Sequence, residues 1–170
     1  MQQIEGSIVR HLLRLALFAP CLLAQSANAA TSTSSFQAKV TIAAQCLINS
    51  ASILDFGSNG VIAANLDLTS TISVTCTNLA SYNIGLDKGL NGASVTTRKM
   101  KNTGNAETIN YSLFSNAGRT TNWGVTIGTD TLGATGNGAA QLFTVYGRVP
   151  AQTTPSPGNY SDTITLTVTY

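Results

Sequence analysis

The chain has 170 residues, a formal net charge of +2, only 9% charged residues and a single histidine, His11. So weak and balanced a charge gives no electrostatic footprint for nucleic acid or an anionic lipid surface. Length and composition point to one domain with its own apolar core.

In chain order, the N-terminus comes first. Arg10 and Arg14 bracket His11, Leu15 to Leu23 is almost wholly apolar, and Ala27-Asn28-Ala29 is a small-x-small site. Positive, apolar and small-residue regions in this order describe a secretory signal peptide, and the apolar run is too short to span a bilayer. Residues 1–29 are expected to be removed, leaving 141 residues from Ala30 to Tyr170. Cys21 leaves with the signal. Cys46 and Cys76 remain as an even pair in an oxidising compartment, so a disulfide is expected. It would close a loop of about 30 residues, worth on the order of 3.5–4 kcal/mol in the chain-entropy model.

Threonine dominates the mature chain, threonine with valine and isoleucine favours strands, and period-two alternation recurs along the sequence. Expected strands are Phe36–Ile42, Thr71–Cys76, Tyr82–Leu86, Ile109–Phe114, Leu142–Gly147 and Thr163–Tyr170. Turn-rich stretches separate them: Asp87-Lys88-Gly89, Asn91-Gly92, Thr103-Gly104-Asn105, Gly133 to Gly138 and Pro155 to Asn159. The basic cluster Arg98-Lys99-Lys101 is expected at a solvated hairpin tip. Six or seven short strands with one inter-strand disulfide imply an all-β, two-sheet antiparallel sandwich.

The residues also restrict the chemistry. Without His11 there is no histidine for a Ser-His-Asp triad, a Cys-His pair or His-ligated zinc or copper. Two oxidised cysteines leave no thiolate nucleophile. Carboxylates are scattered, and nothing supports a glycosidase pair such as Asp55 with Asp162. The Gly-rich stretch Gly124–Gly138 lacks the Gly-Lys-Ser/Thr of a phosphate loop. The expectation is a non-enzymatic chain with no cofactor, metal or small-molecule substrate.

The terminal strands are the informative pair. At the C-terminus Ile164, Leu166, Val168 and Tyr170 face one way and the intervening threonines the other, as in a half-buried strand. An immunoglobulin-like sandwich closes with a further strand beside this one, and Tyr170 is the last residue, so an open apolar groove is expected there. At the other end Phe36, Ala38, Val40 and Ile42 alternate behind a polar leader, Thr31 to Ser35. Such a segment can fill a neighbour's groove, main-chain bonds giving affinity and alternate side chains filling pockets. From pattern alone the simpler expectation is that residues 36–44 form the first strand of their own sandwich.

The order of motifs resembles a known family. Cys46, then Leu54-Asp55-Phe56-Gly57, Ile72 to Thr77, Tyr82 to Asp87, Arg98-Lys99-Met100, Ile109 to Phe114, Val145 to Arg148 and Gly158 to Tyr170 resemble the spore coat protein U domain. That family includes pilin subunits of the archaic chaperone–usher pathway. The resemblance implies an incomplete immunoglobulin-like sandwich completed by a donor strand from another chain. Residues 30–45 would be the N-terminal extension and donor strand, able to run into the first strand, and 46–170 the pilin domain. Carried over, Phe36, Ala38, Val40 and Ile42 are the donor side chains, and Cys46 and Cys76 the family's disulfide. Ile164, Leu166, Val168 and Tyr170 would line the acceptor groove and contact the chaperone. The implied partners are a periplasmic chaperone, an outer-membrane usher and neighbouring subunits, and the implied place is a cell-surface fimbrium serving attachment and biofilm formation. Two alternatives accompany this: a secreted coat or matrix protein of the same family, and a soluble carbohydrate-binding sandwich using Trp123 and a few tyrosines.

Overall fold

A computed structural model describes residues 29–170, and the expected signal peptide lies outside them but for Ala29. Residues 29–45 carry no regular secondary structure. The described residues then form nine strands: β1 (Cys46–Ala51), β2 (Leu66–Cys76), β3 (Ser81–Leu86), β4 (Arg98–Asn102), β5 (Thr108–Phe114), β6 (Leu132–Thr135), β7 (Ala140–Val149), β8 (Tyr160–Ser161) and β9 (Leu166–Thr169). They make two antiparallel sheets, one ordered β1-β2-β7-β5-β4-β8 and the other β6-β3-β9. This is the expected all-β, immunoglobulin-like sandwich.

The backbone of the large sheet is the pairing of β2 with β7, unbroken from Leu66 opposite Val149 to Thr75 opposite Ala140. Alternation sorts the side chains. Ile72, Val74 and Cys76 point inward and are buried, as are Val145 and Val149 of β7, which lie opposite Ser70 and Leu66. In the small sheet Tyr82, Ile84 and Leu86 of β3 meet them from the other side. Burying such side chains stabilises by roughly 1.5–3 kcal/mol each. Trp123, fully buried, closes the core, its indole N–H donating to the Ile84 carbonyl at 2.8 Å. A buried tryptophan needs such a partner, and one so enclosed offers no face for stacking a sugar.

Cys46 and Cys76 sit directly opposite each other at the start of β1 and the end of β2, and they are disulfide-bonded with their Cα atoms 4.1 Å apart. The expected disulfide is present, within one sheet.

Two expectations change. Residues 36–44 are not a strand of this sandwich, since pairing begins only at Cys46. Arg98-Lys99-Lys101 is no hairpin tip. It lies in β4, between β5 and β8, and Arg98 is fully buried. The Arg98 guanidinium donates to the carbonyls of Asp87, Val95, Leu86 and Trp123 at 2.7–2.8 Å. Four main-chain oxygens from three separate stretches thus replace water around the cation, which is how a buried charge is tolerated. Burial pulls its pKa down, while Tyr111, Asp87, Asp162 and Asp130 act in the opposite direction.

Candidate functional site: an apolar groove beside a free strand edge

β9 is the outer strand of the small sheet. It pairs with β3 from Asn83 opposite Thr169 to Leu86 opposite Leu166, and among the described residues no strand pairs with its other edge. Ile164, Leu166 and Val168 are half-buried while Thr163, Thr165, Thr167 and Thr169 are exposed, so the predicted alternation is realised.

Beside this strand opens a groove of about 480 Å³. One wall is Ala51–Phe56, the segment that leaves β1. The opposite wall is Tyr160–Leu166. Its floor is core: Ile72, Leu86, Leu113 and Val145, each at most 5% exposed. A second cavity of about 720 Å³ shares Leu54, Phe56, Met100 and Tyr160 with it and continues past Val61 and Ile62 to Ile109 and Val149. The apolar interior is therefore reachable from outside along one side of the domain. Ile53 and Val61 stand at the rim, 88% and 82% exposed.

Each wall is held from behind. Leu54 and Phe56 lie over Gly147 of β7, where a β-carbon would collide with the Leu54 side chain. On the other side Asp162 is the anchor. Its Oδ2 accepts from the Tyr111 hydroxyl at 2.7 Å, and its Oδ1 accepts from the Leu90 N–H at 2.9 Å and the Asn91 amide at 3.0 Å. Gly89 packs so close to this carboxylate that no side chain would fit, and its φ of 73° also suits glycine. Burial first, then the bond to Asp162, pushes the Tyr111 hydroxyl far above its ordinary pKa, so it stays a donor. Asp87 fixes the strand itself: its Oδ1 accepts from the Thr165 and Gly89 N–H groups, both at 2.9 Å. Burial raises the Asp87 pKa, but those two bonds outweigh it and the carboxyl lies below the usual range. Both oxygens of Asp162 thus serve structure.

Of the residues expected to line this place, Ile164 and Leu166 do so. Val168 packs on the core one step further along, and Tyr170 is 59% exposed and outside the lining. The wall Ala51–Phe56 and the contributions of Met100 and Tyr111 were not anticipated. Leu54-Asp55-Phe56 does alternate, but three residues are too short a run to assign.

The N-terminal segment has the complementary character. Phe36, Val40 and Ile42 are 93%, 84% and 74% exposed, and Ala38 is exposed too. Three residues, Ala43–Gln45, connect Ile42 to β1, and Thr77 holds them. The Thr77 N–H donates to the Gln45 carbonyl at 2.9 Å, its hydroxyl donates to the Ala43 carbonyl at 3.1 Å, and that hydroxyl accepts from the Gln45 N–H at 3.1 Å.

The profile of the Spore Coat Protein U domain matches residues 32–167. The chain is 33% identical over 159 residues to Protein U of Myxococcus xanthus, covering 85% of this chain and 88% of that protein. Among solved structures, it is similar in fold to a chain of the CsuC–CsuE chaperone–tip adhesion subunit pre-assembly complex from the archaic chaperone–usher Csu pili of Acinetobacter baumannii. The TM-score is 0.55 at 24% identity, over 76% of this chain and 40% of that one. A chain of a chaperone–tip adhesin complex of CFA/I fimbriae matches at a TM-score of 0.39 and 18% identity, over 74% of this chain and 41% of that one, too low to bear on the fold. The chain thus spans about two fifths of the solved chains it matches. With the family profile covering most of its length and a relative at one-third identity nearly end to end, this chain belongs to the Spore Coat Protein U domain family.

Proposed function

We propose that this chain is a structural subunit of an archaic chaperone–usher pilus and polymerises by donor-strand exchange. The observation that carries this is a complementary pair within one chain. An exposed, alternating apolar segment, Phe36 to Ile42, lacks a strand partner among the described residues, and an apolar groove runs beside the unpaired edge of β9. An extended segment laid along β9 would satisfy that edge's backbone groups and set every second side chain into the groove. Donation from each copy to the next does not close on itself and so produces a fibre. The fold likeness to a subunit of Csu pili supports the same assignment.

In this scheme Phe36, Ala38, Val40 and Ile42 are the donor side chains, and β9 borders the acceptor groove, with Ile164 and Leu166 in its lining. A periplasmic chaperone covers the groove first, an outer-membrane usher exchanges it for the next subunit's segment, and the product is a surface fimbrium supporting attachment and biofilm formation. Deleting residues 30–42 should abolish polymers, read by electron microscopy and light scattering, while chaperone binding survives. A closed, stable monomer from the full mature chain without a chaperone would overturn the assignment. The family's description, and the likeness to Protein U over 88% of that protein, favour a second reading: a secreted coat or matrix protein that needs no usher. Export and deposition in a host lacking chaperone and usher would select it.

A further inference from the structure

Among the described residues, two non-glycine residues have a left-handed backbone, Leu79 with φ 64° and Arg119 with φ 53°. That region is uncommon for side chains other than Asn and Asp. Arg119 has compensation within its own domain. Its guanidinium lies 5.8 Å from the Tyr146 ring centre, its Nε is 3.4 Å from Asp67, and it donates to the Gly147 carbonyl at 3.2 Å. Leu79 has none for its side chain, which is 78% exposed.

Leu79 occupies the third position of a tight turn, Thr77 to Ala80, closed by the Ala80 N–H donating to the Thr77 carbonyl at 3.0 Å. A positive φ there marks a position suited to glycine or asparagine. The turn is also fixed from outside. The Leu79 N–H donates to the Gly136 carbonyl at 2.8 Å, the Gly136 N–H donates to the Ala80 carbonyl at 2.8 Å, and the Gly138 N–H donates to the Cys76 carbonyl at 3.1 Å. A large apolar side chain is therefore held in water on a rigid turn, in a backbone state that disfavours it. Unexplained strain of this kind points toward function.

Its location indicates the partner. The same Thr77 that opens the turn holds Ala43 and Gln45, the root of the N-terminal segment. From Ile42 to Gln45 the chain reaches about 11 Å at most, and from Thr77 to Leu79 about 7 Å. With about 5 Å more for the hydrogen-bonded step from Gln45 to Thr77, whatever grips Ile42 stands within about 25 Å of Leu79 even at full stretch, less than the diameter of a small domain. We infer that Leu79 is a second contact between subunits, docking against the copy that receives its N-terminal segment, at the apolar rim where Ile53 and Val61 are exposed. This rests on the donor-strand reading above and adds to it a contact outside the groove.

The test uses Leu79→Asn and Leu79→Gly in the otherwise unaltered mature chain. Both residues suit a positive φ, so the melting temperature of the chaperone-bound, unpolymerised subunit should hold or rise. Polymers of either variant should dissociate in denaturant about tenfold faster than wild type, as expected on losing one docked leucine. Dissociation within about twofold of wild type for both variants, on the same scale of free energy, would remove the Leu79 contact and leave donor-strand assembly standing. A lowered melting temperature in both would also overturn it, making Leu79 an internal packing residue. A wild-type chain that forms no polymer would overturn the donor-strand reading, and this one with it.

Discussion

Two segments of this chain carry the same pattern and meet opposite fates. Phe36–Ile42 and Ile164–Tyr170 both alternate apolar with polar residues. The second is paired with β3 over Leu166–Thr169 and its Ile164, Leu166 and Val168 are half-buried, whereas the first has no strand partner among the described residues and its large apolar side chains are 74–93% exposed. Alternation reports that a strand can present one apolar face. It does not report whose sheet it joins. That depends on what the neighbouring residues hold in place, and here Thr77 and the Cys46–Cys76 disulfide begin the sandwich after the first segment has passed.

The largest expected effect separates the two directly. Leu166→Asp would put a carboxylate against the core and should cost about 3–5 kcal/mol, enough to unfold a marginal domain. Ile42→Asp should change stability by about 0.5 kcal/mol or less, as an exposed substitution does, yet abolish assembly. Denaturant melts and light scattering on the same two variants measure both halves. Equal loss of stability in the two would mean that Ile42 belongs to its own sandwich after all.

Next is the disulfide. Replacing Cys46 and Cys76 with serine should cost on the order of 3.5–4 kcal/mol, measured by denaturant unfolding. Hydrogen exchange should then show β1, paired among the described residues with β2 alone, protected no better than the segment before it.

Smaller is the loss of the anchor behind β9. Asp162→Ala removes the partner of Tyr111, Leu90 and Asn91 and should cost about 1.5–3 kcal/mol, as for hydrogen bonds to a charged group. Its exchange signature should appear in Tyr160–Leu166 and spare the N-terminal segment.

The smallest effect is that of acid. The Asp87 carboxyl is held below its ordinary value by the Thr165 and Gly89 N–H groups, against the opposing effect of burial. Asp67 is lowered first by its hydrogen bond to Arg148. A depressed pKa contributes stability that is complete above the unfolded carboxyl value of about 4 and is lost as pH falls through the folded value below it. Melting temperature should therefore hold down to about pH 4 and decline beneath it, with Asp87→Asn flattening the decline.

The long strands were legible because their two faces see different media. In β2, β3, β5, β7 and β9 apolar residues recur at every second position over part or all of the strand, and the fold buries or half-buries most of those positions. The strands that were missed lack that contrast. β1 is exposed along nearly its whole length, β6 holds four residues in a glycine-rich stretch, and β8 holds two. β4 was misread because its charge suggested solvent, when Arg98 is satisfied by carbonyls that sequence distance hides. The groove was half legible: Ile164 and Leu166 emerge from alternation, but the wall Ala51–Phe56 is irregular backbone placed by its contact with Gly147.

The position of Cys46 has a mechanical consequence. If the segment before it is pulled, the covalent bond to Cys76 takes the force before any hydrogen bond of β1 does. It passes the tension to Cys76 and on to Thr77, so β1 and β2, both within the loop that the bond closes, lie outside the covalent path of the force. The ladder of β2 with β7 is thereby spared the pull along the chain.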